Sequence, residues 1–207
     1  MHQTIDPSML YFGTPVVLIS TLNEDGTPNL APISSIWWLN HSCMIGMSSR
    51  SQTMLNLQRE QQCVLNLPSA DQVHAVDRLA LTTGRTPVPE YKAAMGYIHE
   101  PDKFTSAGLH PLQADQVNAP RVQECPVQME AVVEQIHAFD NKGTGHINAV
   151  ELRIAKVHIE ESLLTPPRNH INPDRWKPLM MSFCEFYTLG EKLHPSRLAA
   201  PFMNSHD

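Results

Sequence analysis

Apolar residues along this chain mostly alternate with polar ones in short runs, and turn residues separate the runs. TPVVLIST (14–21) is apolar and β-branched, as a buried strand requires. The NEDGTPN that follows carries Asp25-Gly26, a hairpin signal because tight turns between strands need positive φ. LAPISSIWWLN (30–40) predicts one further strand, with Pro32 marking an edge or a bulge, since proline offers no ladder donor. SCMIGMSS (42–49) and CVLNLPS (63–69) predict two more. Between them SQTMLNLQREQ predicts a short helix, and Ser49 and Gln52 have the spacing of a capping box. ADQVHAVDRLALTTG (70–84) predicts another helix, with Val73, Val76, Leu79 and Ala80 at helical spacing and Gly84 past the end.

From Arg85 to Pro120 the pattern loosens into a long surface excursion with one or two helical turns, a length of irregular chain that usually serves function or an interface. CPVQMEAVVEQIHAF (125–139) and INAVELRIAKVHIEES (147–162) then alternate over long stretches and predict two antiparallel strands joined at DNKGTG. The Pro-rich tail from Leu164 predicts a turn of helix around RWKPLMMSF (175–183) and an extended finish. Many strands and few helices indicate a mainly β barrel with α-helical insertions. Alternating βα units and any G-x-G-x-x-G are absent, which speaks against a Rossmann nucleotide domain.

Composition narrows the function classes. A chain of 207 residues, 42% hydrophobic, suits one domain with a real core. A net charge of −6 with scattered Lys and Arg gives no basic field to collect phosphates, so no nucleic acid is expected as partner. No apolar run reaches the length that crosses a bilayer as a helix. Cys43, Cys63, Cys125 and Cys184 lie far apart, and no signal peptide is evident, so reduced thiols and a cytoplasmic location are expected. The eleven histidines fall with no two spaced as ligands on one helix turn, and no metal is expected.

FDNKGTGHINAVEL (139–152) has the outline of a calcium loop, with Asp140 first, Gly145 central and Glu151 last. Lys142 would put an ammonium where a carboxylate should bind, and the flanks alternate as strands do, so a glycine-bearing hairpin turn is the better reading. The chemistry lies instead in GMSSRSQTMLNLQRE (46–60). A helix N-terminus offers unpaired N–H groups and the positive end of a dipole. Ser49, Ser51 and Thr53 hydroxyls with the Arg50 guanidinium make that corner suited to a phosphate monoester. A plain helix cap, which needs one hydroxyl and no arginine, is the competing reading.

Gly26-Thr-Pro-Asn29-Leu-Ala31-Pro32-Ile-Ser34, then Ser48-Ser-Arg-Ser-Gln-Thr53, then CVLNLP resemble in order and spacing the flavin reductase-like proteins with the FMN-binding split barrel fold. DKFTSAGL (102–109) and APRVQECPVQMEAVV (119–133) resemble the same family, so the likeness spans roughly residues 10–165. It implies a split β-barrel, Greek-key-like, over the whole of 1–207 as one domain, with the barrel core at about 10–165 and a C-terminal extension at about 166–207. It implies a homodimer with FMN near the subunit interface. The phosphate would rest on Ser48, Ser49, Arg50, Ser51 and Thr53, and the flavin ring along the Asn29–Ile36 strand, touched by backbone and by Ser34 and Ser35. NAD(P)H would deliver a hydride to flavin N5, for a small-molecule acceptor or a monooxygenase component as recipient. The alternative is an FMN-binding electron-transfer or storage module without reductase turnover. Trp37 and Trp38 depart from the family pattern and could wall the flavin, pack the dimer or narrow nicotinamide access. His158 and Tyr187 are weighed as flavin or substrate neighbours.

Overall fold

Seven strands make one antiparallel sheet whose two edge strands are consecutive in sequence. They are β1 (Val17–Leu22), β2 (Pro28–Ile33), β3 (Ile36–Leu39), β4 (Ser42–Ser48), β5 (Gln62–Leu67), β6 (Val127–Phe139) and β7 (Ile147–Ile159). Their order across the sheet is β2-β1-β5-β6-β7-β4-β3. Only Ser34 and Ser35 join edge strand β2 to edge strand β3. Two residues reach less than about 8 Å, so the sheet has to curl until its edges meet, which makes a barrel with one unpaired seam. The Gly46 N–H donates to the Ser35 carbonyl at 2.8 Å and ties that seam to β4. This computed structural model describes residues 1–140, 142–143, 146–165 and 170–197.

The apolar run VVLI is continuous because both faces of β1 are covered. Val17 and Ile19 enter the barrel with Ile45, Leu65, Ala131 and Leu152. Val16 and Leu18 face outward, under α2 (Val73–Leu79) and α4 (Lys103–Ala107), against Val76, Leu79 and Phe104. Helix α1 (Gln52–Glu60) carries the chain from β4 to β5, across the β6–β7 pair that lies between them in the sheet, a Greek-key crossing. Its Met54 and Leu57 are fully buried in the barrel core. The excursion after Arg85 holds α3 (Glu90–Ala93) and α4, as its two helical turns.

Several boundaries differ from expectation. LAPISSIWWLN is two strands, not one, broken at Ser34-Ser35, and Pro32 sits on the edge strand β2, where a missing donor costs no ladder bond. The cap of α1 is Ser51, not Ser49: its Oγ accepts from Met54 N–H at 3.1 Å. The 70–84 segment opens with a 3₁₀ turn, ends its helix at Leu79, and leaves Thr82–Thr83 extended beside Ile98–His99. RWKPLMMSF is not helical. Met180–Ser182 and Glu185–Tyr187 form a hairpin, β8 and β9, and β8 pairs with Thr14–Pro15. The strands on either side of DNKGTG, β6 and β7, pair antiparallel as expected, with Phe139 opposite Ile147. Asn141, Thr144 and Gly145 of the calcium-like loop lie outside the described residues, and both its flanks are strands.

Opposite the seam, Glu130 of β6 is wholly buried. Its carboxylate accepts from the N–H groups of Asp115 (2.9 Å), Gln116 (2.5 Å) and Val117 (3.2 Å), and meets His158 Nε2 at 2.6 Å. Lys156 pairs with Asp115 beside it. Asp115, Glu130 and His158 lie close enough to surround a cation, yet the Glu130 oxygens are already occupied, so the cluster pins the 113–118 loop to the barrel wall. Cys43, Cys63 and Cys125 are free and buried. Burial pushes the Cys43 thiol up to about 12 and those of Cys63 and Cys125 up as well, leaving them inert.

Candidate functional site

The barrel seam and the helix corner open onto one cavity of about 630 Å³. Its floor is Ser35 at the seam and Gly46, Met47 and Ser48 at the end of β4. Gly46 permits that approach: a Cβ there would lie 3.3 Å from Ser35 Cβ. Tyr11, from the segment before the barrel, closes one side, and its hydroxyl lies 3.2 Å from Ser35 Oγ. Phe139 and Ile147, the residues flanking the β6–β7 hairpin, close the other with His146. The Ser49 N–H donates to the His146 carbonyl at 2.9 Å, so the hairpin end and the helix corner are fixed to each other.

Donors cluster at the cavity's rim. Arg50 is exposed there, with its guanidinium 5.6 Å from the centre of the Tyr91 ring of α3. Ser48 Oγ accepts from Arg50 N–H at 3.3 Å, which leaves its own proton to give. At the start of α1 the Met54 N–H is capped by Ser51 Oγ and the Leu55 N–H by the Ser51 carbonyl. The N–H groups of Gln52 and Thr53 have no acceptor within the helix. A guanidinium, hydroxyls and helix-terminal N–H groups form a set that suits a phosphate or carboxylate.

Of the residues expected at the site, Ser35, Ser48 and Arg50 line this cavity. Ser49 and Ser51 hold the corner's backbone. Ile36 is buried in the barrel core. Asn29 and Thr53 are buried behind the corner, where Asn29 Nδ2 donates to Thr53 Oγ1 at 3.1 Å. Asn56 extends this network to Thr21 and Asn23, and Gln52 donates to Asn56. Asn29 Oδ1 and Arg85 Nε are both buried without a partner among the described residues, and Asn29 and Arg85 border a polar cavity of about 380 Å³ on the other side of the α1 start. Ser34, next to Ser35 in the two-residue link, borders a third cavity of about 430 Å³.

Trp37 and Trp38 do not line the seam cavity. Trp38 packs on the barrel core and Trp37 is 57% exposed on edge strand β3. His158 stands eleven residues beyond Ile147 on β7, roughly 36 Å along the strand at the usual rise, and serves Glu130 instead. Tyr187 is exposed on β9. The sequence did not point to Tyr11, Tyr91, Phe139 or His146, which come to the cavity from distant parts of the chain. Gly46 carried a signal, since a glycine inside a strand often marks a close approach.

The profile of the Flavin reductase like domain matches residues 9–189, so the C-terminal hairpin belongs to the matched region. The protein YdfE of Bacillus subtilis (strain 168) is 38% identical over 189 residues, covering 91% of this chain and 90% of its own. Among solved structures, flavoredoxin of Desulfovibrio vulgaris (Miyazaki F) superposes with a TM-score of 0.77 at 21% identity, over 97% of this chain and 100% of that one. Nitrilotriacetate monooxygenase component B from Bacillus cereus gives 0.75 at 18% identity, over 94% and 99%. The barrel described above is thus the split barrel of these proteins.

Proposed function

The chain belongs to the flavin reductase-like family, and from that premise we propose that it binds FMN at the barrel seam and acts as an NAD(P)H-dependent oxidoreductase. The observation that supports this best is the joining of two unlike surfaces in one cavity. An apolar and aromatic slot lies along Ser35, Gly46 and Met47, and an anion-binding corner stands at its rim. FMN has the same division, a flat ring at one end and a phosphate at the other. Ser48, Ser49, Arg50 and Ser51, with the Gln52 and Thr53 N–H groups, hold the phosphate. Asn29 and Thr53 brace the start of α1 from behind. The backbone from Ser34 to Ile36 runs along the flavin ring, and Ser35 Oγ, steadied by Tyr11, offers it a hydroxyl.

When bound, FMN supplies a two-electron centre at N5, and the protein's task is to bind, orient and exclude water. No side chain in the seam cavity is needed as acid or base. The proposal extends to a homodimer built over edge strand β3, a cytoplasmic setting, and electrons passed to a small molecule or a monooxygenase component.

Anaerobic stopped-flow with the purified yellow protein tests this. Bleaching of the flavin band by NADH or NADPH is the expected result. A flavin band that neither donor bleaches would reduce the proposal to an electron-transfer or storage module, and a colourless protein that takes up no added FMN would overturn it.

A further inference from the structure

The cavity bordered by Ser34 shares one lining residue, Tyr11, with the seam cavity. Its other walls come from α2 and the residue that caps its end (Val76, Ala80), from Tyr97 of the excursion, and from the β8–β9 hairpin (Met181, Phe186). At about 430 Å³ it lies within the usual size range of small-molecule sites. We propose that this cavity binds a neutral, flat aromatic molecule of two fused rings, as a second ligand site beside the seam.

Shape and charge both select that class. Three aromatic residues, Tyr11, Tyr97 and Phe186, line the cavity, and most of the rest of its lining is apolar, with the Cys184 thiol at the hairpin turn. Ser34 offers one hydroxyl for a single polar substituent. Among the described residues no Lys or Arg lines the cavity, and the one charged group there is the exposed carboxylate of Asp77, so a phosphate, sulfonate or carboxylate would enter without a partner among them and against a like charge. The Lys92 ammonium lies 4.9 Å from the Tyr97 ring centre but does not border the cavity. The anionic parts of a nicotinamide dinucleotide therefore do not belong here.

The backbone that carries the Tyr11 wall is anchored by the hairpin, and the Tyr11 hydroxyl links it to Ser35 at the seam. The Tyr11 carbonyl accepts from the Phe183 N–H at 2.9 Å, Phe12 meets Phe183 edge to face at 4.8 Å, and Cys184 Sγ approaches Met9 Sδ at 3.5 Å. The hairpin turn thus straps residues 9–12 in place and fixes the backbone that carries Tyr11. This site rests on the fold alone, and only its neighbour's occupancy rests on the flavin reading.

Isothermal calorimetry with 1-naphthol, and with naphthalene-1-sulfonate as its anionic match, tests the site in full-length protein. Binding of 1-naphthol at least tenfold tighter than the sulfonate is expected. Ala80→Trp, an exposed position that projects bulk into the cavity, is expected to weaken 1-naphthol at least tenfold while leaving FMN affinity unchanged. No 1-naphthol binding, equal binding of the sulfonate, or an Ala80→Trp protein that binds 1-naphthol as before would each overturn the proposal. Should 1-naphthol bind as expected while FMN does not, the flavin reading fails and this site stands.

Discussion

Ser49 and Ser51 sit two residues apart in the same hydroxyl-rich corner, yet only Ser51 caps α1. Without ligand, Ser51→Ala is expected to lower stability by about 1 kcal/mol, measured by urea denaturation, while Ser49→Ala leaves it within error. Equal losses would mean that the cap is shared. Glu130 is a wholly buried carboxylate. Burial opposes its ionisation, but the Asp115 N–H, the His158 ring and the Gln116 N–H outweigh burial and hold the carboxyl below its ordinary range. The unfolded chain therefore binds more protons in acid. The stability that Glu130 contributes is complete above its unfolded value near 4.5 and is lost as pH falls through the lower folded value. Glu130→Gln is expected to cost about 2 kcal/mol at pH 7 and to show a shallower loss between pH 5 and pH 3. An unchanged acid slope would remove Glu130 from that role.

The elements legible in the sequence are those whose signals are local. Asp25-Gly26 announced its hairpin, alternation announced β6 and β7, and the hydroxyl-arginine corner announced the start of α1. Three features were hidden, each for a physical reason. Ser34-Ser35 reads as the middle of a strand, because hydroxyls are compatible with extended chain and only barrel closure breaks it there. The β8–β9 hairpin turns on Phe183 and Cys184 at φ of 47° and 66°, where glycine or asparagine would have signalled the turn. The cavity's aromatic walls come from residues more than twenty positions from the corner, which local pattern does not connect. Phe183→Ala removes the edge-to-face contact with Phe12 and is expected to cost about 1 kcal/mol. Faster proteolysis of the segment before residue 13 would report the loosened strap, and an unaltered cleavage rate would show that the backbone pairing holds it alone.

Across the whole molecule, the seam organises everything else. Closing a seven-stranded sheet through two residues leaves β3 with a free edge, and Trp37 and Leu39 stand on it 57% and 67% exposed. An apolar free edge invites a partner, which is the physical ground for the proposed homodimer. Sedimentation equilibrium is expected to give the mass of two chains, falling to one in Trp37→Glu. A dimer that survives this change would be built elsewhere. The central claim is that the corner at Ser48–Thr53 holds the phosphate of a flavin whose ring lies along the seam. Its most direct test is the dissociation constants of FMN and riboflavin, in the native protein and in Arg50→Ala, by flavin fluorescence. The native protein is expected to prefer FMN by roughly 10- to 100-fold, the worth of one charge-assisted contact, and Arg50→Ala to lose most of that preference with riboflavin unchanged. Equal affinity for the two flavins in the native protein would contradict the account.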